Sequence, residues 1–159
     1  MVEEPTTEQV ATPASENGFD ATVLLQDVVD VEPSQYASLV AGSMDAGFGT
    51  FVDLCGVDYL RRDPRFEVVV VLLSHTLGRR LRITVGVPAD DPTLPSITGL
   101  FPGANFYERE TYDLYGIVFD GHPDLTRILL PDEWEGHPLR KDYNVGSVPV
   151  QFKGAHHTP

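Results

Sequence analysis

Glu67-Val68-Val69-Val70-Val71-Leu72-Leu73-Ser74 decides the fold class. Between its polar ends it is unbroken Val and Leu, residues that pack well on a pleated surface. The run is short for a helix and too uniformly apolar for a strand with one wet face. It predicts a strand buried on both faces or central in its sheet. Upstream, Thr50–Asp58 (TFVDLCGVD) alternates Phe51, Asp53, Cys55 and Val57 against Val52, Leu54, Gly56 and Asp58. Downstream, Arg80–Val87 sets Leu81, Ile83, Val85 and Val87 against Arg80, Arg82, Thr84 and Gly86, the pattern of a half-buried strand. The segments Arg61–Arg65 and Thr76–Arg79 between them are hairpin-length, so the three strands read as an antiparallel meander.

Further upstream, Val28, Val29 and Val31 suggest a short strand, and Ala21–Leu25 an apolar helical turn. Glu32-Pro33-Ser34 carries helix-start signals. Tyr36, Leu39, Val40 and Met44 follow at helical spacing, and Gly47 and Gly49 supply the stop. Residues 88–103 hold four prolines and predict turns, with one helical turn near Ile97–Phe101. Asn105–Tyr115 reads as a second helix. Asn105 is its expected cap, Glu108 completes a capping-box spacing, and Gly116 ends it. Phe106, Glu110, Asp113 and Leu114 share one broad side, with Arg109 and Tyr112 on another. The fold class expected is α+β: a mixed, mostly antiparallel sheet with helices on one face, followed by an extended irregular C-terminal arm. The expected divisions are a disordered acidic tail at 1–18, the α+β domain at 19–116, the arm at 117–145 and a C-terminal tail at 146–159.

The chain has 159 residues and a formal net charge of −13. The first 60 residues contain eleven acids and no Lys or Arg, so the acidity is an N-terminal property. An acidic chain repels phosphate backbones, which argues against nucleic-acid binding. The longest apolar runs are too short to span a bilayer, and no basic region followed by an apolar one opens the chain, so no secretory signal is expected. A single cysteine, Cys55, excludes an intrachain disulfide and a four-Cys cluster supplied by this chain alone. In its strand pattern Cys55 is expected to be a buried structural thiol. The Arg61–Arg65 and Arg79–Arg82 groups are expected to be solvated loop ends rather than partners of carboxylates.

From Ile117 onward no sustained period appears, and His122-Pro123, Leu130-Pro131, His137-Pro138 and Val148-Pro149 each bias the chain toward extended conformations. This arm nevertheless carries the only Trp, Trp134, together with Tyr143, Arg140 and Lys141. It needs a surface to lie on, its own domain's or another protein's, and its composition suits a docking arm.

The stretch Glu108-Arg109-Glu110-Thr111-Tyr112-Asp113-Leu114-Tyr115-Gly116-Ile117, then Gly121-His122-Pro123-Asp124-Leu125, then Arg127 through Tyr143 (RILLPDEWEGHPLRKDY), closely resembles the signature of the respiratory complex I 30-kDa subunit family, the C-type subunit of NADH:quinone oxidoreductase. The likeness extends over about residues 25–145. Thr126 departs from it, standing where a basic residue is expected. The resemblance implies a non-catalytic structural subunit of the peripheral arm of a proton-pumping NADH:quinone oxidoreductase, on the cytoplasmic face of the membrane and attached to it only through the complex. It implies no flavin, cluster or metal on this chain. FMN, iron–sulfur clusters and quinone belong to partner subunits, among them the 49-kDa (D-type) subunit and the B-type subunit, which carries the terminal cluster. The arm would lie over the 49-kDa-type neighbour, with Trp134 and Arg140 as anchors. The signature and interface residues so implied are Glu108, Arg109, Glu110, Asp113 and Gly116, then His122, Pro123, Arg127, Trp134 and Gly136, then Pro138, Arg140, Lys141, Asp142 and Tyr143. Two alternatives stand beside it: the equivalent subunit of a complex fed by ferredoxin, coenzyme F420 or a hydrogenase, and a stand-alone small binding domain.

Read as chemistry, the same residues offer little catalysis. His122 and His137 lie fifteen positions apart without paired ligand spacing, which favours hydrogen bonding over metal binding. Glu108, Glu110 and Asp113 on one helix suggest an interface or fold-locking role, with Arg109 among them forming an ion-pair network. No phosphate-loop motif is present.

Overall fold

The structure is a computed structural model and describes residues 26–144. The expected tails at 1–18 and 146–159, and the Ala21–Leu25 turn, lie outside these residues. The element order is β1 (Gln26–Val31), α1 (Pro33–Asp45), β2 (Thr50–Asp58), β3 (Phe66–Ser74), β4 (Arg79–Val87), β5 (Thr93–Pro95), α2 (Ala104–Tyr115) and β6 (Val118–Asp120). The main sheet has the order β1-β4-β3-β2. The meander β2-β3-β4 is antiparallel; α1 carries the chain from β1 at one edge to β2 at the other, and β1 pairs in parallel with β4. This is the mixed, mostly antiparallel α+β architecture expected.

The Val/Leu run owes its composition to its position, because β3 lies between β2 and β4. Phe66, Val68, Val70 and Leu72 point into the core beside Leu81, Ile83, Val85 and Val87 of β4. Val69 is also buried on the opposite face, opposite Thr84. Core-facing positions on β2 are Leu54, Gly56 and Asp58. Both helices cover this one face. Pro33 starts α1, which sends Tyr36 and Val40 into the core and leaves Met44 exposed; Gly47 follows at φ +98°.

Three local expectations are revised. Cys55 is exposed, because the buried set of β2 is its even-numbered neighbours. The capping box of α2 does not form: Gly103 is the N-cap, no side chain caps it, and Glu108 is engaged elsewhere. The inward residues of α2 are Ala104, Glu108, Thr111 and Asp113, while Phe106 is 61% exposed. The segment expected to be turns also contributes β5, which pairs in parallel with β6 to form a second, two-stranded sheet. Three-residue strands are too short to leave a periodic signal. The helical turn near Ile97 takes the form of a hydrogen bond from Phe101 N–H to Ile97 O (2.9 Å).

Gly56 sets how closely α2 approaches the sheet. A Cβ there would stand 2.9 Å from Tyr115 and 3.0 Å from Thr111. Gly56→Ala is therefore expected to lower unfolding free energy by about 1–3 kcal/mol through overpacking. Gly42→Ala, on the open side of α1 with nothing within 4 Å, should raise it by about 0.5–1 kcal/mol. Urea titration of both variants checks the opposite signs.

Candidate functional site

The arm is fastened at two places, each built around a carboxylate that leaves the core face. Asp113, on the last turn of α2, is fully buried. Its Oδ2 accepts the backbone N–H groups of Ile128 (3.0 Å), Leu129 (2.8 Å) and Leu130 (3.0 Å). Its Oδ1 accepts Arg127 Nη1 at 2.6 Å, and Arg127 Nη2 reaches on to Gly136 O at 3.2 Å. The Asp113 carbonyl receives Arg127 Nη1 (3.2 Å) and lies 2.9 Å from His137 Nδ1. One residue thus organises arm positions from 127 to 137. Burial by itself would push the Asp113 carboxyl up. The three amides and Arg127 outweigh it and hold the group below the usual aspartate value.

The second fastening joins the end of the arm to the β2-β3 hairpin. Arg65 grips Asp58 with Nε (2.9 Å) and Nη2 (2.8 Å), and grips Asp142 with Nη1 (3.0 Å) and Nη2 (2.7 Å). Asp58 also accepts the backbone N–H of Lys141 (2.8 Å) and of Leu60 (2.7 Å). The hydrogen-bonded Arg65 fork holds Asp58, and less completely the exposed Asp142, below the ordinary range. Between the two fastenings Leu139 N–H donates to Leu114 O (3.1 Å), and Arg140 Nε donates to Tyr115 O. The Arg65 and Arg140 guanidinium groups both lie over the Phe66 ring, at 4.9 and 5.1 Å. Gly116 makes this approach possible. Its φ is +74°, and a Cβ there would meet His137 Nε2 at 2.5 Å and Arg140 Nη2 at 2.6 Å. Gly136, at φ +85°, gives similar room to the Tyr143 ring.

Glu108 builds a third, sealed cluster. It is fully buried, accepts Ser96 Oγ (2.7 Å) and Ile97 N–H (2.8 Å), and stands 4.0 Å from His122 Nε2. The Asp124 N–H donates to His122 Nδ1 (3.0 Å), which leaves Nε2 as the donor toward Asn105 O (3.3 Å). Burial raises the Glu108 carboxyl, opposed by Ser96 and Ile97. The Tyr36 hydroxyl, also buried, is pushed up by burial and then by Glu108.

The fold-locking role anticipated for the α2 acids is thus filled by Glu108 and Asp113, each in its own pocket of donors. Arg109 joins neither: it donates to Thr126 O (3.1 Å), Thr126 Oγ1 (3.0 Å) and Arg127 O (3.3 Å). The departure at Thr126 is thereby an acceptor facing an arginine. Glu110 is exposed. Pro123 and the Lys141 side chain face solvent, Trp134 and Pro138 are half-buried, and Trp134 N–H closes a turn on Pro131 O (3.0 Å). Arg140 anchors the arm to its own domain through Tyr115 O. The loop arginines pair with carboxylates after all: Arg62 with Glu67, Arg65 with Asp58 and Asp142, and Arg79 with Asp27. Asp58, Arg65, Ser96 and Tyr36 were not among the site residues read from the sequence. The first two carried a signal, an acid closing one strand and a base opening the next. Cys55 lies in an acidic setting where burial and then Asp53 raise its thiol, so it is not an activated nucleophile. Among the described residues no three His, Cys, Asp or Glu converge as a metal site, and no helix is long and apolar enough to cross a membrane.

A family model described as the 30-kDa subunit of respiratory-chain NADH dehydrogenase matches residues 29–148. The C-type subunit of the NADH-quinone oxidoreductase of Roseiflexus sp. (strain RS-1) is 57% identical over 105 residues, 66% of this chain and 60% of that protein. That of Herpetosiphon aurantiacus is 56% identical over 108 residues, 68% of this chain and 63% of that protein. That of Salinispora arenicola is 57% identical over 105 residues, but these make up 43% of its length. The chain therefore spans between about two fifths and two thirds of these relatives. Among solved structures, a trypsin-resistant fragment of Nqo5 aligns with TM-score 0.59 at 42% identity, covering 62% of this chain and 81% of the fragment. A chain of the archaeal membrane-bound sulfane sulfur reductase aligns with TM-score 0.69 over 84% of this chain and 85% of its own; at 19% identity it shows the shared fold alone.

Asp113→Ala leaves three amides and Arg127 without their acceptor. It is expected to cost about 3–5 kcal/mol and to speed hydrogen exchange selectively at Ile128–Leu130. Exchange unchanged at those amides would refute their anchoring by Asp113. Asp58 and Asp113 titrate below their unfolded value of about 4. Their stabilisation is complete above that pH and is lost as the pH falls through the folded values. Glu108 acts with the opposite sign, its contribution improving as the pH drops. Denaturation midpoints measured between about pH 5 and pH 2 should fall, and fall less steeply in Asp58→Asn.

Proposed function

The chain belongs to the respiratory-chain NADH dehydrogenase 30-kDa subunit family, and from that membership we propose that it is a non-catalytic structural subunit of a proton-pumping NADH:quinone oxidoreductase. It sits in the peripheral arm, on the cytoplasmic face of the membrane, and meets the membrane only through the complex. Electrons from NADH pass through FMN and iron–sulfur clusters to quinone on the partner subunits. This chain holds none of these groups. Its neighbours are the 49-kDa (D-type) subunit and the B-type subunit, which carries the terminal cluster.

The observation that carries this reading is the 57% identity to proteins named as the C-type subunit of NADH-quinone oxidoreductase. The geometry supports the structural role. The arm, a strap laid over α2, spends its polar groups on its own domain, through Asp113 and Arg65, and turns apolar side chains outward. Leu129 is 60% exposed although its amide is tied to Asp113. A strap held rigid from behind presents an outer face without a large ordering cost on docking. The signature residues therefore act at the interface mainly by shaping that face, with Leu129 and Ile128 as contact residues rather than Arg140.

Affinity purification of the tagged full chain in mild detergent, from cells that carry the remaining subunits, tests the proposal. Cluster-bearing and flavin-bearing subunits should co-purify in fixed ratio. Leu129→Asp should reduce their recovery while leaving the chain's own thermal stability unchanged. A stable monomer recovered without cluster-bearing partners would falsify the reading.

A further inference from the structure

The outer edge of β2 is unpaired among the described residues, since β2 ends the sheet order. An unpaired edge is normally blunted, and here the blunting is partial. A register shift between Phe51 and Asp53 bulges Val52 outward at 41% exposure, but from Asp53 to Asp58 the strand is regular. Beside this regular stretch runs a cleft of about 270 Å³. Its floor is Asp53–Gly56, its wall is the flank of α2 including Glu110, Leu114 and Tyr115, and its end is Leu139 of the strap. Asp53 and Glu110 are both exposed and make no hydrogen bond or ion pair among the described residues.

We propose that this cleft receives an extended segment of a neighbouring subunit, which adds a strand to the edge of β2, places apolar side chains against Leu114, Tyr115 and Leu139, and sets a Lys or Arg between Asp53 and Glu110. The proposal rests on the reading of the chain as a subunit and names one place where a partner docks. Main-chain hydrogen bonds to the free edge supply affinity, and alternate side chains entering the cleft supply specificity. A second copy of this chain is a poor occupant, because two β2 edges paired about a dyad would bring two Asp53 and two Glu110 side chains together. The acids favour a basic peptide. Leu139 closes the cleft only while the strap is fastened, so the docking site exists only in the clasped form.

Cys55 is the chain's only cysteine, is exposed and lines the cleft, so it reports occupancy directly. The rate of N-ethylmaleimide labelling at Cys55 would be followed by mass spectrometry in the free full chain and in the purified complex. Labelling should slow by about tenfold or more in the complex. The double charge reversal Asp53→Lys/Glu110→Lys should reduce partner recovery about tenfold or more, with the melting temperature of the free chain unchanged. A photocrosslinker at Val52 should join an extended, Lys- or Arg-bearing segment of another subunit. Recovery of the complex with Cys55 labelled at the free-chain rate overturns this inference and leaves the subunit reading intact. Failure to recover any complex with the unmodified chain overturns that reading. Protection already present in the dilute free chain, or growing with its concentration, assigns the cleft to the chain's own ends or to a second copy and also overturns the proposal. So do full recovery by the charge-reversed variant and a crosslink to a helix.

Discussion

The path of the arm from Arg127 onward depends first on the Asp113 carboxylate collecting four donors: three consecutive amides and one guanidinium. A buried carboxylate is costly unless its lone pairs are filled, and three adjacent backbone N–H groups are equally costly unless they find an acceptor. Each solves the other's problem, and neither has a substitute nearby. Residues 128–130 belong to no strand or helix, and the Asp113 carboxylate supplies the acceptor for their amides. The strap's path over α2 starts from that side chain, and the room at Gly116 and the arrival of Asp142 at Arg65 carry it on.

The placement of charge shows the same economy. Asp58 and Arg65 bracket the β2-β3 connection, and the bidentate pair they form accepts Asp142 and the Lys141 amide from the far end of the chain. The exposed rim pairs such as Arg79 with Asp27 contribute little by comparison. Arg65 matters because its partner Asp58 is buried and because the pairing spans 77 residues of sequence to Asp142.

The strands declared themselves through period and composition: β2, β3 and β4 begin and end within a residue of where alternation and the Val/Leu run put them. Helix α1 did so through Pro33 and its apolar spacing. What escaped was set by tertiary contact. Cys55 followed its strand's alternation, but which of two alternating sets faces inward is decided by α2 closing on Gly56. Asn105 and Glu108 carry the residue types of a capping box, yet Glu108 is drawn away by Ser96 and Ile97, twelve and eleven residues earlier. β5 and β6 exist only because they pair with each other. The signature residues were visible as a group, and their separate duties were not. Asp113, Gly116 and Arg127 hold the strap, Glu108 and His122 seal a pocket beneath it, and Glu110 remains outside on the rim of the β2 cleft.

The clasp at Arg65 also has a kinetic meaning. Asp58 and Arg65 are only seven residues apart, whereas Asp142 and the Lys141 amide come from the far end of the chain, 77 residues from Arg65 in the case of Asp142. Closing it therefore waits for the sheet and α2 to be in place, since long loops close only when the contacts that reward closure already exist. A closure of that sequence separation is expected to follow the sheet on folding and to open before it. The domain is thus expected to be complete before the arm lies down on it.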